Sequence, residues 1–231
     1  MNVHEDYIVT NQYQPTEDEK AAINKLEKRG LVAGDWESQS KGIVSFKNNL
    51  REHMFYQQKF RCAYCRLEVS IATCFSQREH IVPKILHPKW MFSPQNLCIA
   101  CDRCNNYKWD KEVLKDPNSI DYPSNSDAFK IIHPFIDRYS DHIDLVSDMI
   151  YIGKTEKGKF TIDTCHLYRI DLALERARKK MEKDNPDSVR TQLLSLLEND
   201  ENKIINGRKV LKDGQLLFTC QPDIPYGHPE K

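Results

Sequence analysis

Apolar positions recur at helical spacing through the first sixty residues. Ala22, Ile23 and Leu26 fall on one face of a segment that opens with Pro15-Thr16-Glu17-Asp18-Glu19 and runs to Gly30. Acidic residues suit the positive end of a helix and glycine ends one, so a helix is predicted there. Phe46, Leu50, Met54 and Phe55 predict a second helix over 45–60. Farther on, 149–152 and 159–162 read as strands joined through Gly153 and Gly158, a hairpin. Leu167, Ile170, Leu174 and Ala177 then give a helical stripe, and Val189, Leu193, Leu194 and Leu197 another after Pro186. The run DPNSIDYPSN at 116–125 has the proline and small polar residues of a boundary. The pattern divides the chain into a helical lead-in (1–58), a central region (59–115) and a tail of hairpin and helices (116–231), an α+β class.

Composition narrows the setting. No apolar run approaches the roughly 20 residues that span a bilayer, and the opening MNVHEDYIVTNQYQ is acidic and polar where a secretory signal is basic and then apolar. A cytoplasmic protein with no membrane association is expected. In a reducing compartment the eight cysteines point to metal ligation rather than to disulfides. The chain is neutral overall, yet residues 59–115 hold ten Lys/Arg against five Asp/Glu, so this window carries +5 and the remainder −5. Bound zinc with four thiolates would lower the window to about +3. The basic signal for a nucleic-acid partner is modest and centred on the cysteines.

Those cysteines are spaced for chemistry. Cys62 and Cys65 form one C-x-x-C; Cys98, Cys101 and Cys104 form a double one; Cys74, Cys165 and Cys220 stand alone. Two such pairs predict a closed four-thiolate zinc site, with Cys98/Cys101 or Cys101/Cys104 as the second pair. Thirty-five residues separate Cys65 from Cys101, enough to contain structure. That loop carries Glu79-His80-Ile81-Val82-Pro83 and Asn96-Leu97, and after Cys104 the segment 105–114 is helical in composition.

Glu79-His80-Ile81-Val82-Pro83, Asn96-Leu97 and Cys101-Asp102-Arg103-Cys104-Asn105-Asn106-Tyr107-Lys108 together resemble the HNH endonuclease motif over about fifty residues. The resemblance implies a ββα-metal core braced by a four-cysteine zinc site, with Cys62, Cys65, Cys101 and Cys104 as its ligands. It makes His80 the general base and Asn96 the residue that fastens the loop between strand and helix. Asn105 becomes a ligand of the catalytic Mg2+ or Mn2+, in an H-N-N variant where the family often has His. Glu79 stands where the family usually has Asp and would be the second ligand. The whole arrangement, with its tail CHLYRIDLALERARKK, resembles the small HNH proteins of Septu-type antiphage systems. This implies nucleic acid as substrate, DNA favoured over RNA, and a larger ATPase as partner.

The residue types suit phosphodiester hydrolysis without the family. An imidazole can take a proton from water near neutral pH, and a hard cation can neutralise charge on the scissile phosphate. Magnesium prefers oxygen ligands and retains waters, so one carboxylate and one amide suffice. Lys108, one turn beyond Asn105, and Arg103 are candidate phosphate contacts, with solvated surface charges as the plainer alternative. Trp109 is expected to pack the helix against the hairpin. Of the other histidines, His87 alone is near enough in sequence to join the site; His53, His133, His142 and His166 read as structural or exposed. The competing reading is a non-catalytic zinc module that binds nucleic acid or a partner protein; the presence of Glu79, His80 and Asn105 argues against it.

Overall fold

A computed structural model describes residues 6–70, 76–147, 149–185, 204–205 and 208–209. Helix α1 (Glu17–Glu27) starts at Thr16, whose hydroxyl accepts from the Glu19 amide while the Glu19 carboxylate accepts from the Thr16 amide. This reciprocal cap satisfies amides that a helix start leaves unpaired. Gly30, at φ 84°, follows the helix end. Helix α2 (Lys41–Gln57) buries Ile43, Phe46, Leu50, Met54 and Phe55, close to the predicted stripe. It packs on both α1 and the second strand of the hairpin that follows.

That hairpin consists of β1 (Ser76–His80) and β2 (Leu97–Cys101), antiparallel, with His80 opposite Leu97, Glu79 opposite Cys98 and Ser76 opposite Cys101. Helix α3 (Asp102–Lys108) follows β2 directly and packs against both strands. It is shorter than the segment 105–114 suggested, because Trp109 leaves it at φ 48°. Trp109 does not pack on the hairpin: it is 64% exposed.

The tail differs from its prediction. After the short helix α4 (Tyr139–His142), strand β3 (Ile143–Val146) pairs with β4 (Ile150–Gly153). Residues 159–162, predicted as a strand, lie within helix α5 (Glu156–Thr164). Thr155 caps that helix by accepting from the Gly158 amide, and Gly158, Thr161, Ile162 and Cys165 are buried at helical spacing. Helix α6 (Ile170–Asp184) follows and turns Leu172 and Arg176 inward; of the predicted stripe Leu167 is buried and Ala177 half-buried, while Ile170 and Leu174 are exposed. The stripe from Val189 to Leu197 lies outside the described residues.

Residues 1–177 form one compact unit, and residues 178–231 a second. In the first, the Val9 amide donates to the Pro134 carbonyl and Leu114 bridges to Phe129, so lead-in, centre and tail pack together. In the second, β5 (Ile204–Ile205) pairs antiparallel with β6 (Arg208–Lys209). Among the described residues no helix is long and apolar enough to cross a membrane.

Candidate functional site

The Cys62-x-x-Cys65 turn and the β2–α3 junction bring four sulfurs together. One atom from each of Cys62, Cys65, Cys101 and Cys104 lies within 4.8 Å of all the others, and Cys65 Sγ is 3.8 Å from Cys101 Sγ. Four thiolates at about 2.3 Å from one tetrahedral zinc ion stand about 3.8 Å apart, so the donor set fits zinc. The turn backbone aims amides at the sulfurs: Tyr64 and Cys101 N–H donate to Cys62 Sγ (3.4 and 3.3 Å), and Cys104 N–H donates to Cys101 Sγ (3.4 Å). Burial pushes the Cys62 thiol up, but hydrogen bonds from Cys101, Cys104 and Cys65 more than offset it and hold it well below the usual thiol range. This part of the structure could hold a metal such as zinc.

Cys98 is not in the cluster. It lies three residues before Cys101 on β2, and an odd separation on a strand turns two side chains to opposite faces. Burial and the nearby Glu79 carboxylate push its thiol up. The choice between the two possible second pairs therefore falls on Cys101 and Cys104. Cys74 and Cys220 lie outside the described residues.

Glu79 and His80, adjacent at the end of β1, have different surroundings. Glu79 is buried against α3, where Lys108 Nζ stands 2.6 Å from Oε1 and the Tyr64 hydroxyl donates to the same oxygen at 3.1 Å. Burial raises the Glu79 pKa; Lys108 opposes the shift without cancelling it. Lys108 Nζ also donates to the His80 carbonyl at 2.9 Å, and the side chain is fully buried. Lys108 is thus neither a solvated charge nor a phosphate contact: its ammonium ties α3 to β1.

The His80 ring meets Trp36 edge-on, with centroids 4.4 Å apart, and Nε2 lies 3.1 Å from the Met91 carbonyl oxygen. A carbonyl only accepts, so Nε2 carries the proton and the neutral ring keeps its lone pair on Nδ1. Burial, with Lys84 and Lys108, lowers the His80 pKa to about 3, against the bond to Met91.

Asn96 is fully buried. Its Oδ1 accepts from the Val82 amide (2.7 Å), and its Nδ2 donates to the carbonyls of Val82 (3.0 Å) and Trp90 (3.2 Å). These bonds close the connection between β1 and β2, rather than a junction between strand and helix. Asn105 is half-buried on α3, three residues before Lys108 and so on the same helical face. Arg103 is exposed and paired with Asp171 at 2.8 Å. His87 is held by Glu112 (2.7 Å) and stacked on Trp90.

Several site residues gave no signal in the sequence. Gln58 reads as a polar helix end, yet its Nε2 donates to the carbonyls of Arg61 and Ile99 while its Oε1 accepts from the Ile99 amide. It thereby joins the first cysteine turn to β2. Trp36, Arg169 and Arg176 also reach the site from outside the motif, and Tyr64 from between its first two cysteines.

No family model matches the chain. It is similar to a Septu protein PtuB of Bacillus thuringiensis, with 29% identity over 171 residues. That match covers 72% of this chain and 60% of the length of the relative.

Proposed function

We propose that the chain is an HNH-type, divalent-metal-dependent endonuclease that acts in antiphage defence beside a larger ATPase. The observation that carries the catalytic part is the 3.1 Å contact of His80 Nε2 with the Met91 carbonyl oxygen. A neutral imidazole with Nε2–H tied to a backbone carbonyl offers Nδ1 as a proton acceptor throughout the physiological range. Supporting it is the order of elements: a hairpin bearing Glu79 and His80 runs into a helix bearing Asn105, with four cysteines bracketing the unit. Similarity to a Septu protein supports the defence role.

In this reading zinc at the cysteines is structural. A separate Mg2+ or Mn2+ would be held by the Asn105 amide oxygen, and would supply charge neutralisation at the phosphate. Glu79 joins as a ligand only by exchanging the Lys108 ammonium for the cation, since that ammonium already neutralises it. The mildly basic central window gives weak, salt-sensitive grip on nucleic acid by itself, which gives the partner a targeting role.

The test is cleavage by purified protein of supercoiled DNA, linear DNA and RNA in parallel, with and without Mg2+ or Mn2+. Divalent-dependent cleavage, faster on DNA, is expected. Asn105→Ala should raise the metal concentration needed for half-maximal rate. Cleavage unaffected by chelating magnesium and manganese, or absent from every substrate with and without the ATPase, contradicts the proposal.

A further inference from the structure

Four thiolates around one divalent ion carry a net charge of −2, and here three of the four cysteines are fully buried. Buried charge needs compensation from nearby dipoles or ions. Backbone amides supply part of it. Two arginines at the start of α6 face the same cysteines.

Arg169 Nη2 lies 3.9 Å from Cys104 Sγ, while its Nη1 donates to the carbonyls of Cys165 and His166, both at 3.1 Å. The turn that precedes α6 therefore holds this guanidinium against the cluster. Arg176, seven residues on and thus on the same helical face, donates from Nη2 to the Cys65 carbonyl at 2.5 Å and from Nε to the Tyr151 hydroxyl. Tyr151 donates to that same Cys65 carbonyl at 2.5 Å. Leu172, between the two arginines, is buried. Arg66, next to Cys65, is fully buried between the rings of Tyr7 (3.9 Å) and Tyr139 (4.5 Å), and its guanidinium nitrogens have no hydrogen-bond partner among the described residues. The two aromatic faces attract this cation in place of hydrogen-bond acceptors.

We infer that Arg169 and Arg176 are positioning residues for the metal centre, Arg169 by neutralising the thiolates and Arg176 by fixing the Cys65 turn. Metal binding and docking of the first two turns of α6 are then one coupled event, in which each stabilises the other. This rests on the reading that the four cysteines hold zinc.

The test uses the full chain and measures zinc release to a chromogenic chelator, together with the sulfur-to-cobalt charge-transfer band of Co2+-substituted protein. Arg169→Gln is expected to release zinc about 10–100-fold faster and to shift the band. Arg169→Lys, which keeps the charge, should stay near the wild type, as should Lys20→Gln on α1. A wild-type rate in Arg169→Gln overturns the inference. So does Arg169→Lys as fast as Arg169→Gln, because shape rather than charge would then be at work. As a readout that needs no variant, hydrogen exchange at residues 170–176 should rise when zinc is stripped from wild-type protein; unchanged exchange also overturns it. Wild-type protein that neither contains zinc nor binds cobalt defeats the metal reading itself, and this inference with it.

Discussion

His80 shows how one residue's surroundings set both chemistry and stability. Trp36 covers the ring, Met91 fixes its tautomer, and the group stays neutral down to about pH 3. His133 is similarly buried and lowered to about 3. In the unfolded chain both titrate near about 6.5. As pH falls from about 6.5 towards 3, the unfolded chain binds protons that the folded one refuses, so the stability present above about 6.5 is progressively lost. Each histidine contributes up to about 1.4 kcal/mol per pH unit to this slope. The expected outcome is that His80→Gln, compared with wild type by urea unfolding between about pH 4.5 and 6, loses stability less steeply by about 1.3 kcal/mol per pH unit. Any metal lost from the cysteines in acid is lost from both proteins and cancels. Parallel slopes would mean that His80 titrates as an exposed histidine. The motif made His80 a candidate, but its burial was not legible, since Trp36 lies far upstream in a segment without a catalytic signature.

At the scale of elements, the hairpin and α3 are joined by the Glu79–Lys108 pair, which is almost fully buried. Removing one partner of such a pair strands a charge, at a cost of about 3–5 kcal/mol, whereas replacing both with neutral residues is far cheaper. Lys108→Ala should therefore destabilise strongly in thermal or urea unfolding, and Glu79→Gln/Lys108→Met should recover most of the loss. A Lys108→Ala protein within about 1 kcal/mol of wild type, as for an exposed pair, would contradict the buried geometry. Lys108 read as exposed because helical periodicity says which face a residue occupies, not which face the hairpin covers. The first two helices were legible from their amphipathic spacing, reinforced in α1 by an acidic start and a following glycine. The predicted partner strand at 159–162 failed for a local reason. Gly153 and Gly158 resemble hairpin punctuation, yet at Gly158 a Cβ would stand 1.9 Å from the His142 carbonyl oxygen. That glycine lets α5 approach the chain just before β3, and the Thr155 cap starts the helix.

Across the whole molecule, the first cysteine turn is held from a distance. Tyr139 donates to the Tyr64 carbonyl across 75 residues of sequence, Tyr151 to Cys65 across 86 and Arg176 to Cys65 across 111. The cysteines themselves were legible because tetrahedral thiolate chemistry demands paired ligands at short spacing. The residues that hold the turn were not, since a tyrosine or arginine in a tail carries no mark of where it will dock. In the proposed reading zinc belongs to the fold and a hard cation to the reaction. His80 is not one of the four clustered ligands, so removing its imidazole should separate the two. The most direct measurement is the cleavage rate of His80→Ala in the presence of Mg2+ or Mn2+, with zinc per chain determined on the same preparation. Wild-type zinc content and a rate lower by about 10²–10⁴-fold are expected. Cleavage near the wild-type rate by a zinc-replete His80→Ala protein would contradict it.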